Sequence, residues 1–391
     1  MEAYHFTEFP YPYVPEDYYE RYGSIRVTLP NQLFDPQIGA DLYERYLDEY
    51  VFADEMGLNL MVNEHHQTAT CLDVSLSISA AAIIQRTRKS RSRVLLLGHP
   101  LPHRDNPLRV AEETAMLDVM SRGRIECGFV RGVGTEIHPA NTIPTYTVEK
   151  MREAHDLIHK AWHSGEPFSW EGKFYHYRFV NVWPRPYQQP HPPIWITGGT
   201  SLESARWVGR LGHRFAAFLT PYPKTEELFN AYREAYRETF HRDADSDRFG
   251  YLALCYTAET DEAADREGKE LLWYLRTRPA DWFRTPPGYS PVAAMVKAAG
   301  DPKGSVRAAD WDNLKQFGVV IAGSPDTVFE KVKYLHERCG VGHLLMMNQA
   351  GFLSHERTLK SIELFAKEVL PRIRELGAPA VAQHPEPVVQ G

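Results

Sequence analysis

Leu58-Asn59-Leu60-Met61-Val62 runs directly into Asn63-Glu64-His65-His66. The first segment is an apolar run of strand length and reads as a buried strand. A carboxylate and two imidazoles then stand at its exit. Such groups are costly to bury unless something polar or reactive meets them. Histidine titrates near neutral pH and is the commonest general acid or base, so His65 and His66 are candidate catalytic residues.

The same pattern recurs on both sides of this stretch. Strand candidates are Ala3–Phe9, Leu58–Val62, Arg93–Leu97, Ile125–Val130, Ile194–Thr197, Phe215–Phe218, Tyr251–Thr257 and His343–Asn348. Helical spacing separates them: Gly39–Met56 carries Leu42, Tyr46, Tyr50 and Ala53 on one stripe. Further helices are expected from Asp73, as N-cap, to Arg86, then over Pro107–Met120, Thr145–His163, Ser201–Leu211, Lys224–Phe240 and Asp261–Leu275. Pro325–Arg338, capped by Ser324, and Ser354–Glu375 complete the set. Eight strands alternating with helices predict an α/β fold, a closed (β/α)8 TIM barrel with long insertions at its C-terminal mouth. An open doubly wound sheet is the alternative, and the absence of GxGxxG at the first strand–helix turn weakens it. One domain is expected over residues 1–376. Insertions fall at about 11–35, 165–193 and 278–317, and a loose Ala/Pro/Gln-rich tail at 377–391.

The bulk numbers narrow the function classes. The chain has 391 residues, 43% hydrophobic and 24% charged, with net charge −7. No basic stripe appears, which argues against a nucleic-acid partner. No apolar run reaches the roughly 18 residues of a membrane span. The first residues, MEAYHFTEFPYPYVP, lack the apolar core of a signal peptide. Cys71, Cys127, Cys255 and Cys339 are far apart and form no CxxC pair, which speaks against a disulfide framework or structural zinc and for a reducing compartment. A soluble cytoplasmic protein is the expectation.

In a barrel the chemistry sits at the C-terminal ends of the strands. Strand two ends in Glu64, His65 and His66; strand three in Gly98 and His99, with His103 and Arg104 beyond. Strand four ends in Arg131-Gly132, strand five in Thr197-Gly198-Gly199-Thr200-Ser201, and strand eight in Asn348. Adjacent strand residues point to opposite faces, so His65 and His66 are not expected to share one ligand while the strand persists, and no metal is assigned to the pair. The Gly-rich turn before a helix suits an anion, because glycines admit close approach and the helix N-terminus presents N–H groups; a tight βα turn with an N-cap is its plain alternative. Arg131 is placed to complete a phosphate clamp. Tyr11, Tyr13, Tyr18 and Tyr19 form an aromatic cluster that either roofs an apolar substrate or packs the long loop.

Several stretches resemble the bacterial luciferase-like flavin monooxygenases. They are NEHHQT (Asn63–Thr68), NPLRVAEETAMLDVMSRGRIECGFVRGVGTE (Asn106–Glu136) and PPIWITGGTSLESARWVGRLGHRF (Pro192–Phe215), with GSPDTV (Gly323–Val328) and SIELFAKEVLPRIRE (Ser361–Glu375) near the C-terminus. The resemblance covers nearly the whole chain. It implies a (β/α)8 barrel that takes reduced FMN from a separate NAD(P)H:flavin reductase. Oxygen then adds at the flavin C4a, and the resulting peroxide oxygenates a small apolar substrate. By position, it implies acid–base chemistry at His65; His66, His99 and His103 are the second choices. It implies cofactor contacts at Gly98, His99, Arg131, Gly198, Gly199, Thr200 and Ser201, with a non-prolyl cis bond expected at the Gly98–His99 link. Tyr11, Tyr13, Glu64 and His103 are the substrate candidates. A homodimer through helices beside strands two and three is implied, with Val74–Ile84 as candidate surface. Val130 stands where luciferase itself has a cysteine, and Gly199 where it has a glutamate, so luciferase's substrate and light emission are not read across. Alternatives are hydride transfer with a deazaflavin, a non-catalytic flavin-binding partner subunit, and a metal-dependent hydrolase using Glu64, His66 and His99.

Overall fold

The computed structural model of the chain describes residues 1–276, 288 and 309–377. Most of the expected insertion at 278–317, and the tail beyond Gly377, lie outside them.

The strands are β1 (Glu2–Thr7), β2 (Asn59–Val62), β3 (Val94–Pro100), β4 (Ile125–Val130), β5 (Phe168–Glu171) and β6 (His176–Val180), followed by β7 (Ile194–Gly198), β8 (Arg214–Phe218), β9 (Phe249–Thr257), β10 (Val320–Gly323) and β11 (His343–Gln349). Eight of them pair in parallel in the order β9-β11-β1-β2-β3-β4-β7-β8, and the β8–β9 pairing closes the ring. Helices connect successive strands, so the expected (β/α)8 barrel is present. β10 was not foreseen as a strand. It pairs Leu254–Thr257 of β9, beyond the Phe249–Leu252 stretch that β8 covers, and so lengthens the wall on one side of the mouth. The insertion at 165–193 contains the antiparallel β5–β6 hairpin.

Side-chain alternation divides each strand between two cores. Tyr4, Phe6, Met61, Leu95, Leu97, Trp195, Leu252, Leu345 and Met347 pack inside the barrel. Ala3, Leu60, Val62, Val94, Leu96, Cys127, Phe129, Ile196 and Met346 pack outward against the helices. The helix Pro36–Glu55 shows the local logic. Asp35 caps it through the Gln37 and Ile38 N–H groups, Pro36 opens it, and Leu42, Tyr46, Tyr50 and Ala53 are buried. Tyr50 also donates to the Met61 carbonyl at 2.6 Å, tying this helix to β2.

Two boundaries depart from expectation. Asp73 is not the N-cap of the next helix: the helix is Leu76–Arg86, Ser75 holds the cap position, and Asp73 accepts from the Ser75 N–H within the preceding turn. The last helix is interrupted by a π-helical turn, Phe365–Val369, just ahead of Pro371. Pro371 lacks the N–H that an α-turn needs, which fits a local change of pitch. The cysteines are free and buried, and among the described residues no helix is long and apolar enough to cross a membrane.

The N-terminal end of the barrel is closed by a polar plug. Glu126, 2% exposed, accepts from Tyr4 Oη (3.1 Å), Trp195 Nε1 (2.9 Å) and Arg214 Nη1 (2.8 Å). Removing one partner of a buried charged pair commonly costs 3–5 kcal/mol, because the survivor is left unpaired. Arg214 keeps Asp247, so Glu126→Ala is expected to cost about 3 kcal/mol in urea unfolding. The surface pair of Asp48 with Arg86 is the comparison, with Asp48→Ala costing less than about 1 kcal/mol. Equal costs for the two would show that the plug does not stabilise the barrel.

Candidate active site at the barrel mouth

A cavity of about 350 Å³ opens at the C-terminal ends of β2, β3, β4 and β7. This is within the size range of cofactor and ligand sites. Leu97, Gly98, Val130 and Ile196 give it apolar lining, and His65, Glu64, Glu136, Arg131 and Arg152 give it charged and titratable lining. Thr197, Gly198, Gly199, Thr200 and Ser201 line it as well, as the sequence suggested.

A carboxylate holds both histidines of the opening stretch. Glu136 meets His65 Nδ1 at 3.0 Å and His66 Nδ1 at 2.9 Å. His65 Nε2 lies 3.9 Å from the buried Glu8, which also accepts from Asn63 Nδ2 at 3.2 Å. Burial of the His65 ring disfavours its cation, but the Glu136 hydrogen bond and the charges of Glu8 and Glu136 outweigh this and raise its pKa above the usual histidine value. Burial likewise works against ionised Glu136, and the hydrogen bonds from His65 and His66 reverse that, holding its carboxyl well below the usual range. The strand ends at Val62, so alternation does not separate the two histidines: both bond Glu136, and His65 lines the cavity while His66 does not. Glu64 forms an ion pair with Arg104 and accepts from the Leu76 N–H; burial raises its pKa, with Arg104 and His66 opposing.

His99 departs from its assignment. The cis peptide bond is Leu97–Gly98, one link earlier than expected, and the β3–β4 register shifts between Leu96 and His99. Before the shift Leu95 and Leu97 face the barrel interior; after it His99 pairs with Phe129, an outward residue. Gly98 and Pro100 line the cavity while His99 does not. His99 is 1% exposed, neither ring nitrogen has a hydrogen-bond partner among the described residues, and burial, then the nearby Arg104 charge, push its pKa down to about 3. A neutral packed imidazole fits that environment better than a proton carrier or a flavin contact. The bulge needs glycine: a Cβ on Gly98 would meet the Gly128 carbonyl oxygen at 2.9 Å, and one on Gly128 the Leu96 oxygen at 2.6 Å.

The other substrate candidates are not brought to the cavity wall. Tyr11 is buried against Phe34 and Tyr13, its hydroxyl accepting from the Asp35 N–H. Tyr13 is 57% exposed. His103 meets Thr142 Oγ1 through Nδ1 at 2.8 Å, and burial pushes its pKa down to about 4. Sequence reading missed Glu136, Glu8, Arg152, Trp207 and Tyr274. Glu136 alone had a signal: an acidic residue just past the strand-four exit, in the turn Gly134–Ile137.

The helix Leu202–Leu211 starts at the cavity edge, with Ser201 as cap accepting from the Ser204 N–H. First-turn N–H groups of a helix have no partner within it and favour an anion. Arg131 is steadied by Thr147 Oγ1 at 2.9 Å, and Arg152 lies over the Trp207 ring at 5.1 Å. Cations and a Gly-rich helix start beside an apolar slot fit a phosphate-bearing cofactor with a flat apolar body, as an FMN has. Enzymes of that class leave the hard chemistry to the cofactor, and the protein supplies orientation and electrostatics.

Comparison with known proteins agrees. The family model described as luciferase-like monooxygenase matches residues 29–341. The oxygenase component of the flavin-dependent trigonelline monooxygenase of Acinetobacter baylyi is 23% identical over 354 residues, 87% of this chain and 92% of its own. A type II Baeyer-Villiger enzyme, the oxygenating constituent of 3,6-diketocamphane monooxygenase of Pseudomonas putida in complex with FMN, superposes with TM-score 0.72 at 21% identity, covering 97% of this chain and 100% of its own. An F420-dependent secondary alcohol dehydrogenase superposes with TM-score 0.65 at 15% identity, covering 96% and 100%. The two solved structures share the fold. The chain belongs to the luciferase-like monooxygenase family and is a flavin-dependent oxidoreductase of that family.

The shared carboxylate makes a testable pH signature. Glu136 has a depressed pKa in the folded state, so its stabilising contribution is present above about pH 4.3 and is lost as pH falls through the folded value. His65 has a raised folded pKa, so its contribution is complete below about pH 6.5 and is lost as pH rises through the folded value. Both are complete between those limits. In Glu136→Gln the His65 resonance in a ¹H–¹³C titration should move to a lower pKa, and the stability gap to wild type should be widest in that window. An unmoved His65 titration would remove Glu136 as its partner.

Proposed function

We propose that this chain is the oxygenase component of a two-component system. It takes reduced FMN from a separate NAD(P)H:flavin reductase and uses it with O2 to oxygenate a small apolar carbonyl or aromatic substrate. The observation that supports this most is the mouth itself, where one cavity is lined by His65 on Glu136, by Arg131 and Arg152, by the Gly198–Ser201 turn and by apolar side chains. The naming of the Acinetobacter relative as an oxygenase component supports the separate reductase.

Bound reduced flavin supplies the activation of oxygen. Arg131, Arg152 and the backbone of Gly198–Ser201 hold the phosphate end. Leu97, Gly98, Val130 and Ile196 receive the ring system and keep water from it. His65 carries the proton at Nε2, because Nδ1 is engaged by Glu136. Glu136 and Glu8 are positioning residues that fix the ring and favour its cation. His66, on the same carboxylate but outside the cavity lining, steadies Glu136.

The test is anaerobic titration with reduced FMN, reduced riboflavin and a reduced deazaflavin, followed by oxygen. Reduced FMN should bind, and its reoxidation should be slower on the protein than in solution. Arg131→Ala should lose about tenfold in affinity for FMN and little for riboflavin, as expected for a charge-assisted phosphate contact. His65→Ala should keep reduced-FMN binding and lose about 10²-fold in substrate oxygenation, the scale of general acid–base catalysis. Failure to bind reduced FMN, with binding of the deazaflavin, would transfer the site to hydride chemistry.

We also propose a homodimer in the reducing cytoplasm, to which four buried free cysteines are suited. The packed helices Leu76–Arg86 and Leu108–Ser121, with the turn ahead of the first, expose Val74 (55%), Ile78 (72%) and Met116 (54%). Exposed apolar residues on neighbouring helices are candidates for an association surface. Light scattering at micromolar concentration should give the dimer mass for wild type and the monomer mass for Ile78→Asp/Met116→Asp. A monomeric wild type would reject the dimer.

A further inference from the structure

We propose that the chain carries a transition-metal site at the N-terminal end of the barrel, made by His159, His163 and His191 and remote from the flavin mouth. His159 and His163 lie one turn apart on the last stretch of the helix Thr147–His163, and His191 stands in the loop just before β7. One donor nitrogen from each lies within 4.8 Å of the others. Three nitrogens on a tetrahedral zinc, at about 2.0–2.1 Å from the ion, are about 3.3 Å apart, so modest side-chain rotation closes the set. Two histidines at i and i+4 on a helix with a third from another element is a donor spacing that zinc sites use.

Hydrogen bonds already set two of the rings for metal. His163 Nδ1 meets the His159 carbonyl at 2.7 Å, and His191 Nδ1 meets the Pro192 carbonyl at 2.7 Å. A carbonyl only accepts, so each Nδ1 carries the proton and each Nε2 presents its lone pair. This is the backbone-oriented imidazole that metal ligation requires. The three rings are in mutual contact, tilted with centroids 4.1 Å apart for His159–His163 and edge-on at 5.2 Å for His159–His191 and 5.1 Å for His163–His191. Trp162 stacks on His191 at 5.9 Å, and the buried pair His155–His213, joined Nε2 to Nε2 at 2.8 Å, backs the cluster. Three neutral imidazoles select Zn2+, Co2+, Ni2+ or Cu2+ over Mg2+ and Ca2+, which prefer oxygen. The ion would staple the 165–193 insertion to the helix Thr147–His163, with water in the fourth position.

The test uses untagged, chelator-treated full-length protein titrated with Zn2+ by calorimetry, with Mg2+ as control and Co2+ absorption reporting the ligand field. One Zn2+ per chain, a tetrahedral cobalt spectrum and slower proteolysis within 165–193 are expected. His163→Gln and His191→Gln should each weaken Zn2+ at least about tenfold, while His176→Gln on the exposed hairpin should leave it unchanged. Circular dichroism confirms that each variant is folded. Wild type that takes up no more Zn2+ than the triple His159→Gln/His163→Gln/His191→Gln variant would overturn the proposal, as would stoichiometric Zn2+ that the single substitutions do not weaken.

Discussion

Ring closure through the β8–β9 pairing is the constraint on which the rest of this molecule depends. Once eight parallel strands close and helices wrap them, both faces of every strand are dry. Polar chemistry is then confined to the two open ends. At the N-terminal end the inward-facing Glu126 is tolerated because Tyr4, Trp195 and Arg214 satisfy it. At the other end the inward space is left open, and the carboxylate there, Glu136, is satisfied by the ring nitrogens of His65 and His66. The two acids solve the same desolvation problem, one by permanent cations and donors, the other by titratable ones.

A local device on β3 decides which side chains reach the open end. The register shift at Leu96–His99 lets Leu97, Gly98 and Pro100 line the cavity and turns His99 into the helix layer. Two glycines make this possible, because β3 and β4 approach too closely there for a Cβ on Gly98 or Gly128. The mouth gains apolar lining, and the imidazole on the outer side is left without a hydrogen-bond partner among the described residues.

The fold was legible because its signal is repetitive: apolar runs of strand length alternate with helical stripes along most of the chain. Boundaries set by a single interaction were less so, as the Asp73 side chain bonding Ser75 rather than capping the helix illustrates. At the site, the residues on strand ends and on the Gly-rich turn were legible, since position along a strand implies the mouth. His99 misled because one register shift inverts the alternation on which such a reading relies. Glu136 was hidden because it reaches His65 from a turn 71 residues away, and no periodicity reports that contact. Tyr11 and Tyr13 were ambiguous by composition; Tyr11 packs against Phe34 within the loop, and Tyr13 lies against Tyr11 and is mostly exposed.

The helix Thr147–His163 joins the two ends of the molecule. Its first residue steadies Arg131, Met151 and Arg152 line the cavity, His155 packs edge-on against Trp207 at 5.5 Å, and His159 and His163 close its far end. An α-helix is stiff along its axis, and this one is seated by the buried Ala154, Leu157, Ile158 and Trp162. Its seating therefore sets two things at once: the placement of Arg131 and Arg152 at the cavity, and the geometry of the histidines at the opposite pole. The insertion that carries His191 also reaches the helix through Glu153, which accepts from the Lys173, Phe174 and Tyr175 N–H groups. Those three bonds hold the hairpin turn to the helix, and His191 packs on the same helix further along, so the insertion rests on the element that lines the cavity although, among the described residues, it contributes none to the lining.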